Sequence, residues 1–297
     1  MPDLEWEGMR TALLCLLSLV PLAAQDFSEV MVERIATGYR FTEGPALSPD
    51  GVLYFSDVPN NRIHQIVPGK SVSVYREESN GANGNFVDER GRLYTCESVT
   101  RRVTRTGKDG KVEVLAERFE GKRFNAPNDI AVRKDGHAYF TDPAYGNQAD
   151  NRELPFFGVY HLTPKGELSL IAKMDKRPNG ITLSPNERIL YVAGSDERVI
   201  RAYDLDRSGN ATNPRVVISG IDGVPDGIRT DSKGNIYIAC NRIAIYSPDG
   251  KLIRHIDTPE TPANIVVADK GEWTVFVTAR TSVYRIRQGK KDAASAQ

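Results

Sequence analysis

Arg177-Pro178-Asn179-Gly180-Ile181-Thr182-Leu183-Ser184-Pro185 decides the fold, because near-copies of it recur along the chain with one polar residue changing. Each copy can be anchored on the turn residue that follows it, and the changing position then lies eight residues upstream. Gly51, Gly91, Gly136 and Gly234 point back to Glu43, Asn83, Asn128 and Asp226. In the fourth copy Glu187 replaces the glycine and points to Asn179; in the sixth, Gly271 points to Ala263. The anchors are 40, 45, 51, 47 and 37 residues apart, a self-similar period that marks a propeller or a solenoid.

After each anchor comes a second shared run, among them Val52-Leu53-Tyr54-Phe55-Ser56-Asp57, His137-Ala138-Tyr139-Phe140-Thr141-Asp142 and Asn235-Ile236-Tyr237-Ile238-Ala239-Cys240. Aromatic and β-branched residues directly after a turn read as the returning strand of a hairpin. Further strands are expected at residues 62–67, 159–162, 199–203, 244–246 and 283–286, which gives about four per copy. The fold class that uses six such units is an all-β, six-bladed β-propeller with four-stranded blades. The sixth copy, from Pro262 to about Arg287, holds three strands; a strand at residues 30–35 stands outside every copy and is expected to complete that blade and close the ring.

The chain has 297 residues, 39 basic and 39 acidic, so no broad field attracts nucleic acid or an anionic membrane surface, and neither is expected as a partner. Residues 11–24 (TALLCLLSLVPLAA) form an apolar run of signal-peptide length. The acidic start at Asp3, Glu5 and Glu7 suits a leader poorly, whereas Met9-Arg10 supplies a basic one, so translation from Met9 is expected. On this reading residues 1–24 are a leader, the protein is secreted or periplasmic, residues 25–287 are one propeller and residues 288–297 a disordered tail. The alternative for the apolar run is a buried first helix of a cytosolic protein. Cys96 and Cys240 fall in the second and fifth copies, on opposite sides of a six-membered ring, so no disulfide is expected between them. Residues 143–157 are an insertion, either a binding loop or a passive surface excursion.

The slot that carries Glu43, Asn83, Asn128, Asn179 and Asp226 changes residue but keeps a side-chain oxygen in five copies. Opening the first strand of each blade, these groups would converge at the mouth of the central channel. Carboxylate and amide oxygens make a hard-cation site, for Ca²⁺ or Mg²⁺ and possible for Mn²⁺ or Zn²⁺. The plainer reading is that Asn and Asp beside Gly and Pro merely form turns. His64, His137, His161 and His255 lie outside the slot and are expected to be surface or satisfied strand residues.

Glu43-Gly44-Pro45, Pro127-Asn128-Asp129, Pro178-Asn179-Gly180 and Pro225-Asp226-Gly227 resemble the metal-site motifs of the gluconolactonase, regucalcin (senescence marker protein) and luciferin-regenerating enzyme family of six-bladed propellers. The resemblance spans about residues 39–287, and the stretches 80–84, 95–97 and 140–146 are closer to the bacterial gluconolactonase branch. It implies one divalent cation, calcium first, on Glu43, Asn179 and Asp226, with Asn128 as a further ligand or a substrate contact. It implies Asp226 as general base, and Asn83, Asn128, Asp142 and Tyr145 as substrate-binding residues. Two positions depart from the pattern. Ala126 stands where the regucalcin branch has a substrate-contacting arginine, with Arg123 three residues upstream. Arg229 stands where organophosphate-hydrolysing relatives have an acidic residue that helps hold a second ion, so a second central ion is not expected.

The function read from this is hydrolysis of a small lactone, of the sugar-lactone kind: the cation polarises the carbonyl and Asp226 activates water. A phosphotriesterase or other esterase on the same site, and a propeller that binds without turnover, are the alternatives.

Overall fold

The computed structural model describes residues 29–145, 151–269 and 271–289. The expected leader and most of the expected tail lie outside these residues. Six four-stranded antiparallel sheets form the blades. Blade one comprises Thr42–Leu47, Leu53–Asp57, Arg62–Ile66 and Ser73–Arg76, in chain order from the channel outward. Blades two to five begin with Ala82–Val87, Ile130–Val132, Pro178–Leu183 and Ile228–Thr230. Blade six takes Pro262–Ala268, Thr274–Ala279 and Ser282–Gln288 from the end of the chain and Val30–Thr37 from its beginning. The first strand of each blade touches that of the next, and that of blade six touches that of blade one, so the ring is closed.

Val30–Thr37 closes it as expected, pairing from Val30 opposite Gln288 to Thr37 opposite Ser282. Without it Ser282–Gln288 would be an open sheet edge. One boundary is corrected. Gln288 belongs to that strand and the Gly289 N–H donates to the Glu29 carbonyl at 2.9 Å, so the ordered chain runs past the expected start of the tail.

The core lies between blades and not in one central mass. Leu53 and Phe55 of blade one pack with Val283 of blade six, and the other five junctions have comparable clusters. Second strands are therefore covered on both faces: every residue of Leu93–Glu97 and Ala138–Asp142 is buried, whereas most of the outermost Val112–Ala116 is exposed. That fits the aromatic and β-branched residues of the second runs, and it buries the acids Asp57, Glu97 and Asp142 that end three of them. Burying one such Leu or Phe contributes about 1.5–3 kcal/mol. Cys96 and Cys240 are free and buried in different clusters, as expected.

The anchor turns behave alike. Gly51, Gly91, Gly136 and Gly234 have φ between 72° and 96°, and Glu187 adopts the same left-handed conformation at φ 58°. At the other end of each first strand, pairing is interrupted at the slot. Register shifts fall between Glu43 and Ala46, Ala82 and Asn85, Pro178 and Ile181, and Pro262 and Asn264. A bulge there turns the slot side chain out of the pleat.

Candidate active site

The bulged slots are tied across blades by their backbones. Gly84 N–H donates to the Asn128 carbonyl (2.7 Å), Gly180 N–H to that of Asp226 (3.0 Å) and Gly227 N–H to that of Ala263 (2.8 Å). The residue after the slot must be small where strands approach this closely: a Cβ on Gly180 would lie 2.3 Å from the Asp226 carbonyl oxygen. The Thr141 hydroxyl donates to the Asn179 carbonyl at 2.7 Å and that of Ser56 to the Asn83 carbonyl at 2.8 Å. Glu43, Asn83 and Asn179 thus sit in first strands, and Asn128 and Asp226 in the hydrogen-bonded segments that lead into theirs.

Glu43, Asn179 and Asp226, from blades one, four and five, lie close enough to interact: Asn179 hydrogen-bonds Asp226, and the Glu43 charge acts on it. Glu43 is 3% exposed and Asn179 7%, while Asp226 keeps more exposure. Burial pushes the Glu43 carboxyl up to about 7, with the Gly44 N–H and the Asn264 amide opposing and Asp129 adding to the rise. Protein packed round Asp226, then the neighbouring Glu43 and Asp129 charges, hold its carboxyl well above the ordinary range, against a hydrogen bond from Asn179. Asn179 Nδ2 also donates to the Tyr145 hydroxyl at 3.2 Å. Burial raises that hydroxyl to about 12.

Asn83, Asn128 and Tyr145 line a cleft of about 620 Å³ together with Phe41, Val58 and Val99, within the ~300–1,000 Å³ typical of small-molecule sites. Asp142 is corrected as a substrate contact. It is fully buried, and its carboxylate accepts the N–H groups of Asn125 (2.8 Å) and Ala126 (2.7 Å), which shapes the approach to Pro127-Asn128. Asp57 does the same for Arg40 and Phe41, so an acid ending the second strand is a repeated loop support. Burial outweighs those two donors and lifts Asp142 to about 7. The insertion is partly structural: Leu154 is buried with Phe124, Phe140 and Tyr160.

The centre also holds Asn85, Asp129 and Asn264, to which the sequence assigned no role, and Arg229, expected only as the residue that replaces a second ion's acidic ligand. Arg229 Nη1 lies 3.2 Å from Asp129 Oδ2 and also donates to the Ile228 (2.8 Å) and Ile181 (3.1 Å) carbonyls. Asn85 Nδ2 donates to the Ser56 hydroxyl (2.8 Å) and the Gly44 carbonyl (3.0 Å). Asn264 bonds Glu43 from blade six, whose own slot holds Ala263. A signal existed: the position after the slot is Gly44, Gly84, Gly180 and Gly227 in four copies, but Asp129 and Asn264 in the other two. Away from the site, His137 and His161 share a 2.7 Å hydrogen bond, and burial lowers His161 to about 4; His161 is a satisfied strand residue, as expected, and His137 its partner just before Ala138–Asp142.

The donors suit a hard cation. Among the described residues no group of three His, Cys, Asp or Glu is placed to hold an ion, so a site here must be two carboxylates completed by amides. Asn83 Oδ1 is buried without a hydrogen-bond partner, and among the described residues the ion pair of Arg229 goes to Asp129; the charges of Arg229 and Arg280 offset only part of the burial of Glu43 and Asp226. Oxygen ligands with a net negative charge fit Ca²⁺ or Mg²⁺ better than a thiolate- or imidazole-seeking metal.

Fold and site together define a six-bladed propeller with an oxygen-lined channel mouth. Residues 41–281 match the model of the SMP-30/Gluconolactonase/LRE-like region, and the chain belongs to that family. It is 34% identical over 288 residues to a gluconolactonase of Zymomonas mobilis, covering 86% of this chain and 81% of that protein. It is 26% identical over 286 residues to the diisopropyl-fluorophosphatase of Loligo vulgaris, covering 84% and 90%. A solved gluconolactonase from Xanthomonas campestris superposes with a TM-score of 0.81 at 31% identity, covering 88% of this chain and 90% of that one. The calcium-binding protein regucalcin from Agrobacterium tumefaciens shares the fold, with a TM-score of 0.72 at 18% identity over 87% and 96%.

Proposed function

We propose that the protein is a metal-dependent lactonase that opens a small lactone to its hydroxy acid. The observation that carries this is the meeting of Glu43 and Asp226, two carboxyls from different blades raised chiefly by burial, with the Glu43 charge adding to the rise at Asp226, the Asp129 charge adding at both, and amides completing the oxygen set. The names of its relatives point the same way, sugar lactones being the class they indicate.

Glu43, Asn179 and Asp226, with Asn128 beside them, would hold a divalent cation, calcium first, which supplies a Lewis acid for the carbonyl oxygen. Asn179 is kept in place by Tyr145, and the inter-blade backbone bonds hold the three ligands at fixed separation. Asp226 is the general base: it removes a proton from water as the water oxygen adds to the carbonyl carbon. It returns that proton to the ring oxygen as the ring C–O bond breaks, so a neutral lactone and one water give one hydroxy acid. Asn83 and Asn128 present amides to the substrate from blades two and three. We further propose secretion to the periplasm or beyond, on the strength of residues 9–24.

Purified protein should open lactones in the presence of calcium, lose activity on chelation and regain it on metal add-back. A panel that includes a phosphotriester separates the two ester chemistries. Turnover unaffected by exhaustive chelation would remove the metal from the proposal.

A further inference from the structure

The cleft above the slot residues has two chemically different halves. Its inner half carries the amides of Asn83 and Asn128. Its outer half is built from Phe41, Val58, Pro59 and Val99, with Ala126 on the blade-three side, and among the described residues no charged side chain lines it. The polar groups there are largely spent internally. Asn61 Oδ1 accepts the Gly81 N–H at 2.8 Å, and the Ser98 hydroxyl donates to the Gly81 carbonyl at 2.6 Å. Asn80, the amide N–H groups of Asn61 and the Tyr145 hydroxyl are the remaining polar groups of the described lining. Val99, packed beside Gly81, stands 60% exposed and adds apolar surface to that lining.

A polyhydroxylated ring needs a hydrogen-bond partner for each hydroxyl that leaves water, and a site without partners discriminates against it. An aliphatic chain needs only apolar area. From this, and resting on the lactonase reading, we infer that the substrate is a γ- or δ-lactone carrying an aliphatic substituent. Its ester group sits at Glu43, Asn179 and Asp226, and its chain lies against Phe41, Val58, Pro59 and Val99. The structure thereby narrows the reading away from polyhydroxylated sugar lactones.

The test measures kcat/KM with calcium for δ-lactones bearing hydrogen, methyl or butyl, and for a polyhydroxylated δ-lactone. From hydrogen to butyl kcat/KM should rise about tenfold or more, since each methylene in an apolar pocket is worth a sizeable factor. Val99→Asn and Val58→Asn should erase most of that rise. In parallel, calorimetric titration with the matching δ-lactams, which resist hydrolysis, reads the cleft without turnover; affinity should increase with chain length and Val99→Asn should flatten the increase. Kinetic preference for the polyhydroxylated lactone, or lactam affinity independent of chain length, overturns the inference. Absence of turnover on every lactone, with chain-dependent lactam binding intact, would sink the lactonase reading and leave the apolar cleft standing.

Discussion

The same six innermost strands make two unlike ends of one channel. At the slot end they carry Glu43, Asn83, Asn128, Asn179 and Asp226, and pairing is broken by bulges or has not yet begun. At the turn end they carry Leu47, Phe86, Val132, Leu183 and Val266 around a cavity of about 290 Å³. Arg229 lies between the two, bonded to Asp129 and to backbone carbonyls of blades four and five. A regular strand presents alternate residues to fixed faces, so it can line a channel but cannot crowd several polar groups onto one point. A bulge in blades one, two and four, and a strand that starts after the slot in blades three and five, remove that restriction, and the slot oxygens gather there.

The largest expected difference between the ends is chemical. Asp226→Asn should lower kcat by about 10² to 10⁴ even at saturating calcium, the usual worth of a general base. Asn179→Ala, which removes a neutral ligand, should be largely restored by excess metal. Recovery of Asp226→Asn by metal would reduce Asp226 to a ligand.

Arg229 tests whether the boundary itself is structural. Arg229→Met leaves Asp129 buried without its partner and should destabilise the fold by about 3–5 kcal/mol, read by denaturant unfolding. Adding Asp129→Asn should return much of the loss. If the double variant is no better than the single one, the ion pair is not what Arg229 contributes.

The smallest contrast compares two glycines of unlike purpose. Gly136→Ala, at φ 96° in an anchor turn, should cost about 1–2 kcal/mol in stability and leave turnover alone. Gly180→Ala meets the Asp226 backbone and should cost about 1–3 kcal/mol through overpacking, while also weakening metal binding. Equal metal affinity in the two variants would show that the inter-blade approach does not position the ligands.

The repeat, the blade number, the closing strand and the slot were legible in the chain because period and turn chemistry are local properties, seen in Gly51, Gly91 and their equivalents. The recurring register picks out five slot residues, Glu43, Asn83, Asn128, Asn179 and Asp226; the narrower set Glu43, Asn179 and Asp226 is what the family resemblance implies. Local pattern could not assign Asp142, whose carboxylate is consumed by backbone N–H groups seventeen and sixteen residues away, nor could it join Asn264 to Glu43 or Arg229 to Asp129. The Asn264–Glu43 and Arg229–Asp129 pairings join different blades, about which sequence separation carries no information, and the Asp142 pairing depends on how the segment before Ile130 folds back over the hairpin of blade three. The sequence determined which side chains face the axis; ring closure decided which of them meet, because only the closed geometry sets the distances between first strands.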